Sequence, residues 1–346
     1  MSPRLFNDDD VRAQLNAGTA VRAVRTAVLA RYEGSMQAPP RVGADLGDGH
    51  LVFTAGHLRE QEVFGFRAYD TLVGGEQLVA VWSARDGELL ALVHGAELGA
   101  RRTGAIGAVA VDVAARPDPV RVGIVGAGTQ AWMQLWAMRA VREVEEVVVA
   151  ARRPERAEAF AHRATNELGV KTRATESVED AVRDRDVVIV ATNSAVPVMD
   201  ADWIAPGTHV TTLGPKTASR HEVPAALAHR ASAVLTDSLA QAASYPEPHV
   251  FATDSMVDLG AVLAGTVTAR TDPDQITVFC SVGLAGTEVA LAAVLITAGQ
   301  ADRPGTGASS SSDSPTPGAP RTPRPSPTPA STAPPEPAPG TGCTPN

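Results

Sequence analysis

A chain of 346 residues with 44% apolar and 20% charged residues has room for two soluble globular domains. Its net charge of −9 argues against nucleic acid and anionic membrane as partners, and no apolar run is long enough to span a bilayer. Two cysteines, Cys280 and Cys343, make no disulfide framework and fit a reducing cytoplasm. The N-terminus has no apolar signal segment, and the eight scattered histidines lack zinc spacing, so no metal site is expected.

Residues 1–35 read as helical. Asn7 is placed to cap a first turn of Asp8, Asp9 and Asp10, whose charges suit the positive end of the helix dipole. A second helix is expected from Thr19 to Tyr32, ending near Gly34, before Pro39-Pro40 opens a strand region. Residues 41–95 read as antiparallel β, with hairpin signals at Asp48-Gly49 and Asp86-Gly87. Phe64–Asp70 is one strand, and its period of two sets Arg67 on the face of Gly65 and Tyr69. A helix rich in small residues is expected from Ala96 to Ala115, and Pro117 and Pro119 mark a boundary.

The next segment opens with an apolar run, Val122 to Val125, that breaks at Gly126-Ala-Gly128 and continues as a helix from Thr129. This is the Gly-x-Gly-x-x-Ala dinucleotide fingerprint. Gly126 permits the tight turn, Gly128 leaves space for a pyrophosphate, and Ala131 lets the helix approach the strand. The first helical N–H groups, at Thr129 and Gln130, then face the phosphates.

From there strands are expected at 121–125, 146–150, 171–175, 186–191, 208–213, 233–236 and 275–280. Helices are expected at 129–142, 154–168, 177–183, 222–230 and 256–264. That alternation implies a doubly wound parallel sheet, whose ligands bind beyond the carboxyl ends of the strands. The loops holding Thr192, Asn193 and Ser194, Leu213 to Lys216, and Asp237 fall there. A last helix spans 282–302. The tail, 303–346, carries half of the 26 prolines and is expected to be disordered.

Two cationic groups bear on chemistry. The second strand of the α/β segment ends without a carboxylate and leads into Arg152-Arg153, where a 2′-phosphate would lie. This favours NADP(H), with NAD(H) as the alternative. Arg41, Arg67, Arg101 and Arg102 form a second set, before the boundary. Only two of the 30 basic residues are lysines, Lys171 and Lys216. An arginine fork suits a substrate carboxylate, so a small anionic substrate facing the nicotinamide is expected.

At these residues the chain resembles the ornithine cyclodeaminase/mu-crystallin family. The resemblance runs over residues 1–300, through Pro39-Pro-Arg41, Gly65–Thr71, Arg102-Thr103-Gly-Ala105, Gly123–Ala131, Ala151–Ala157, Leu213–Lys216 and Ser281-Val282-Gly283. It implies a Rossmann dinucleotide-binding domain, 118–281, inserted in an α+β substrate and dimerisation domain formed by 1–117 plus 282–302. It also implies a homodimer and a small amino-acid-like or imino-acid substrate. By position Arg102 is the carboxylate-binding arginine with Arg41 as its helper. Thr103, Leu213, Val282 and Gly283 belong beside the cofactor.

The resemblance leaves three activities open: hydride transfer at the α-carbon of an imino or amino acid, conversion of ornithine to proline, and nucleotide binding without turnover. Cyclodeaminases carry a lysine where this chain has Arg67, and an aspartate about where it has Lys216. Arginine does not give up its proton in a protein. Lys216, or the nearby Asp237, is therefore the candidate base beside Arg67, and hydride transfer to an imine is the expected reaction.

Overall fold

The computed structural model contains two sheets, linked along the chain by one long helix, and the description covers residues 2–72, 76–117 and 119–301. The expected tail, 303–346, lies outside the described residues.

The first sheet contains β1 (Arg4–Phe6), β2 (Met36–Gln37), β3 (Val42–Asp45), β4 (His50–Leu58), β5 (Val63–Asp70), β6 (Gln77–Ser83) and β7 (Leu89–His94). Its order is β1-β7-β6-β5-β4-β2, with β3 also on β4. All pairs are antiparallel except β1 with β7. Both expected hairpins form, with Gly47 and Gly87 in the left-handed region that the two turns need.

β1 is a correction to the helical reading of residues 1–35. Three residues are too few to show a period, and long-range pairing decides their conformation. Helices α1 (Asp8–Gln14) and α2 (Ala17–Tyr32) follow, the first with a full capping box between Asn7 and Asp10.

Helix α3 (Glu97–Ala114) is buried along nearly its whole length. Its small residues let it press against α4 (Thr129–Met138): a side chain at Gly104 would collide with the Met133 carbonyl, and Gln134 donates to Thr103 O at 3.0 Å. Residues 139–142 leave the expected helix early.

The second sheet comprises β8 (Val120–Val125), β9 (Val144–Ala150), β10 (Thr172–Thr175), β11 (Val187–Val190), β12 (His209–Thr212), β13 (Ala231–Thr236), β14 (Val257–Asp258) and β15 (Ile276–Cys280). Every pair is parallel, in the order β10-β9-β8-β11-β12-β15-β13-β14. Strands β8, β11, β12 and β15 are almost wholly buried, as in a sheet covered on both faces; β8, β11 and β15 are mostly apolar, while β12 buries His209, Thr211 and Thr212.

Helices α5 (Pro154–Leu168) and α6 (Val178–Val182) match their expected positions. Three later helices do not. Expected helix 222–230 forms only as α7 (Leu227–Arg230), because Pro224 removes a donor and Glu222 is held in a loop. A short α8 (Leu239–Ala243) was not foreseen, and 256–264 divides into β14 and α9 (Leu259–Leu263). The last helix, α10 (Thr287–Ala301), begins after residues 282–286, which form a loop. It returns to pack on the first sheet and on α2 and α3. No helix among the described residues is long and apolar enough to cross a membrane.

Candidate active site

The direction of strand order in the second sheet reverses between β8 and β11, which opens a crevice at their carboxyl ends. Gly126 sits there with φ +107°, a conformation that L side chains rarely adopt, and any side chain would strike the Ala191 carbonyl. At Gly128 an added Cβ would meet no atom within 4 Å, so the surface above it is open. Gly128 is also the N-cap of α4 and gives no side-chain cap, which leaves the first-turn N–H groups free for a phosphate. A cavity of about 410 Å³ runs from Gly126 and Gly128 past Thr192, Asn193 and Ser194 to Arg152, Arg153 and Arg156. These residues fit a dinucleotide: backbone donors for the pyrophosphate, and arginines where the ribose would end. No carboxylate lines this cavity.

A second cavity, of about 560 Å³, starts at Thr129 and Gln130 on the same helix turn. It brings together Arg41, Arg67, Arg102, Thr103, Leu213, Lys216, Val282 and Gly283, all expected from the sequence, and adds Tyr69, Gln77 and Tyr245. Arg101 belongs elsewhere. Its guanidinium bonds Glu97 Oε1 at 2.8 Å and the Leu15 carbonyl, and stacks over Trp136, away from this cavity.

Glu288, on α10, organises the arginines and gave no signal in the sequence. It is 1% exposed, and one oxygen accepts from Arg102 Nη2 at 2.5 Å and Arg67 Nη1 at 3.0 Å. Burial opposes its charge, but Arg102 and Arg67 outweigh burial and hold the carboxyl below the usual range. Arg67 also donates to Gln77 Oε1 at 2.6 Å and stacks on Tyr69. Arg41 donates to the Val282 carbonyl, and its Nη1 reaches the Tyr69 hydroxyl at 3.5 Å. Arg41 has no carboxylate partner among the described residues. The Nε atoms of Arg41 and Arg102 are buried without a hydrogen-bond partner.

Two carboxylates shape the loops around this cavity. Asp237 accepts from the N–H groups of Val282, Gly283 and Leu284, each at 2.8 Å. It is fully buried and does not line the cavity, so the structure gives it the task of holding the loop after β15 and not the expected role of base. Glu222 accepts from Thr192 N and Oγ1, Thr212 Oγ1, Leu213 N and Gly214 N, and thereby ties the loop after β11 to the loop after β12. Only the loop return of residues 214–222, invisible in local pattern, brings it there.

Lys216 remains as the base candidate. Its Nζ donates to Leu213 O at 3.0 Å and Gly214 O at 2.7 Å. Burial lowers its pKa below the ordinary lysine value. Burial also raises Tyr245 to about 12, so that its hydroxyl stays protonated. Among the described residues no cluster of His, Cys, Asp or Glu fits a metal ion.

Fold and site together define an α/β protein of the dinucleotide-binding class, with a cavity lined by four basic side chains at the start of the fingerprint helix. The ornithine cyclodeaminase/mu-crystallin family profile matches residues 3–299, and the chain belongs to that family. It is 28% identical over 310 residues to an alanine dehydrogenase of Archaeoglobus fulgidus, covering 85% of this chain and 94% of that protein. The Δ1-pyrroline-2-carboxylate reductase of Thermococcus litoralis, solved with NADH and L-proline, superposes with a TM-score of 0.80 at 26% identity, covering 86% of this chain and 98% of that one. An archaeal alanine dehydrogenase dimer with bound NAD superposes with a TM-score of 0.79 at 27% identity, covering 87% and 97%.

Proposed function

We propose that the protein is an NAD(P)H-dependent oxidoreductase that reduces the C=N bond of a small α-imino acid, or runs the reverse oxidation. The observation that carries this reading is the shared cavity: Thr129 and Gln130, at the start of the fingerprint helix, line the same space as Arg41, Arg102 and Lys216. When bound, the dinucleotide supplies the hydride. Arg102 and Arg41 anchor the carboxylate and so orient the α-carbon, which supplies much of the rate in a reaction between two held partners. Gly283, with φ +86°, leaves room for that carboxylate, because a Cβ there would lie 3.1 Å from Arg102 Nη1 and 3.3 Å from Arg41 Nη2. Lys216, neutralised more easily than an exposed lysine, moves the proton at the substrate nitrogen.

Ornithine fits this cavity poorly. Its side-chain ammonium would face Arg41, Arg67, Arg102 and Lys216, and no carboxylate lines the wall to receive it. The reading is tested by following NADPH oxidation with Δ1-pyrroline-2-carboxylate, and proline formation from ornithine. Turnover of the first without the second is expected. Rapid proline formation from ornithine would remove the imine-reductase assignment in favour of a cyclodeaminase.

NADP(H) is the cofactor supported by Arg152, Arg153 and Arg156 at the ribose end of a cavity without a carboxylate. One charge-assisted contact is worth about 1.5–3 kcal/mol. Arg152→Ala is therefore expected to weaken NADPH about tenfold or more and leave NADH almost unchanged, and equal losses for both would count against the assignment. We further infer a homodimer, formed through the first sheet. Phe53 and Phe64 are exposed there and continue an aromatic row through Phe66 and Trp82, an apolar surface of the kind that marks an interface. A monomeric mass by light scattering at micromolar concentration would contradict it.

A further inference from the structure

We propose that Gln241, on α8, is a positioning residue for the substrate carboxylate and acts through Arg41. The inference deepens the reading above, because it rests on Arg41 as a carboxylate anchor. Arg41 lies between β2 and β3, where Pro39 and Pro40 carry no backbone N–H. Its own N–H is therefore the one backbone donor between Ala38 and Val42, and it goes to Gln241 Oε1 at 2.8 Å. That bond spans 200 residues and ties a segment of the first sheet to a helix that follows β13 of the second.

Gln241 is fixed well enough to hold it. The side chain is 6% exposed, and its backbone N–H donates to Ser238, the N-cap of α8, at 3.2 Å. Nε2 donates to Ser244 Oγ at 2.9 Å, and that hydroxyl donates to the Gln241 carbonyl, also at 2.9 Å. A hydroxyl has one proton, so Ser244 Oγ must accept from Nε2, and Oε1 must face Arg41. No other orientation of the amide keeps all three bonds. One short element thus grips Arg41 at both ends. Asp237, just before α8, holds the N–H groups of Val282, Gly283 and Leu284, and the Val282 carbonyl accepts from the Arg41 guanidinium. Gln241, a turn further on, holds the Arg41 backbone. The remaining bond, Arg41 Nη1 to the Tyr69 hydroxyl, is 3.5 Å long and at the weak limit. Pinned in this way, Arg41 Nη2 stays beside the open point at Gly283, 3.3 Å from where a Cβ would lie. With Oε1 removed, the Arg41 N–H must turn toward water, and the guanidinium moves with the backbone that carries it. Hydrogen bonds to a carboxylate are directional, so a shift of about 1 Å is enough to weaken the pair.

The test is steady-state reduction of Δ1-pyrroline-2-carboxylate with NADPH. Gln241→Met keeps the side-chain length and removes the acceptor. It is expected to raise KM about tenfold, to change kcat less than about threefold, and to leave the NADPH dissociation constant within about twofold. In an Arg41→Met background the same replacement is expected to add almost nothing to KM, as for two groups acting in series. Ser244→Ala, at an exposed position, frees the amide to rotate and is expected to raise KM about threefold at unchanged Tm. It carries the same comparison if Gln241→Met does not fold. An unchanged KM overturns the inference. So does an equal rise in KM with and without Arg41, or a loss of NADPH affinity as large as the rise in KM. Calorimetry of pyruvate on the protein with NADP+ repeats the comparison without turnover. If no imine is reduced, the reductase reading falls and the pyruvate constants decide. Binding about tenfold weaker in Gln241→Met, with no such change in the Arg41→Met background, sustains the positioning role, and equal constants overturn it.

Discussion

Arg102→Ala is expected to lower kcat/KM by about 10²–10³, the equivalent of removing one partner from a desolvated charge pair. Arg102 is nearly buried, fixed at one end by Glu288, and open to the cavity at the other. Because it is proposed to hold the carboxylate of every substrate, its loss raises KM, and because the carboxylate sets the α-carbon position, it also lowers kcat. Lys216→Met is expected to behave differently. It removes proton transfer and not anchoring, so kcat falls by about 10²–10⁴ with a small change in KM. Burial lowers the Lys216 pKa, so a rate limb assigned to it lies below the ordinary lysine value and disappears in the variant. Steady-state kinetics across pH read both effects, and an unchanged KM in Arg102→Ala would take this residue out of the substrate site.

Glu288→Ala is expected to destabilise the protein by about 3–5 kcal/mol, since it leaves two buried guanidinium groups without a counter-charge. For a protein of this size that corresponds to a fall in Tm of roughly ten degrees. A second replacement separates charge from cavity. Arg67→Met in the Glu288→Ala background removes one of the unpaired charges and is expected to recover part of the loss. No recovery in the double variant would mean that Glu288 matters for packing alone, and would weaken the claim that it organises the arginines.

Much of the nucleotide site was legible because its signal is local. A strand, Gly126-Ala-Gly128 and a helix from Thr129 are consecutive, and the turn geometry needs only those residues. The absence of a carboxylate at the end of β9, before Arg152 and Arg153, is equally local. The arginine cavity was legible only as a set of residue types. Arg41, Arg67, Arg102 and Lys216 could be nominated, and the family resemblance picked Arg102 over Arg101, but the physical reason lay in the fold: adjacent positions on a helix point about 100° apart, and the packing of α3 turns Arg101 to Glu97 and Leu15 and Arg102 to the cavity.

The carboxylates show the other limit. Asp237 looked like a base and instead holds three backbone donors, while Glu222 and Glu288 drew no attention at all. The chain by itself determined the strand and helix periods, the glycine turn, the cationic composition of the site and the lack of a carboxylate at the end of β9. Those properties depend on neighbours a few residues apart. Tertiary structure alone decided that Glu288 sits against Arg102 and Arg67, which lie 186 and 221 residues away in sequence. A buried charge takes its partner from whatever the packed fold brings within about 3 Å, and no local pattern encodes that distance.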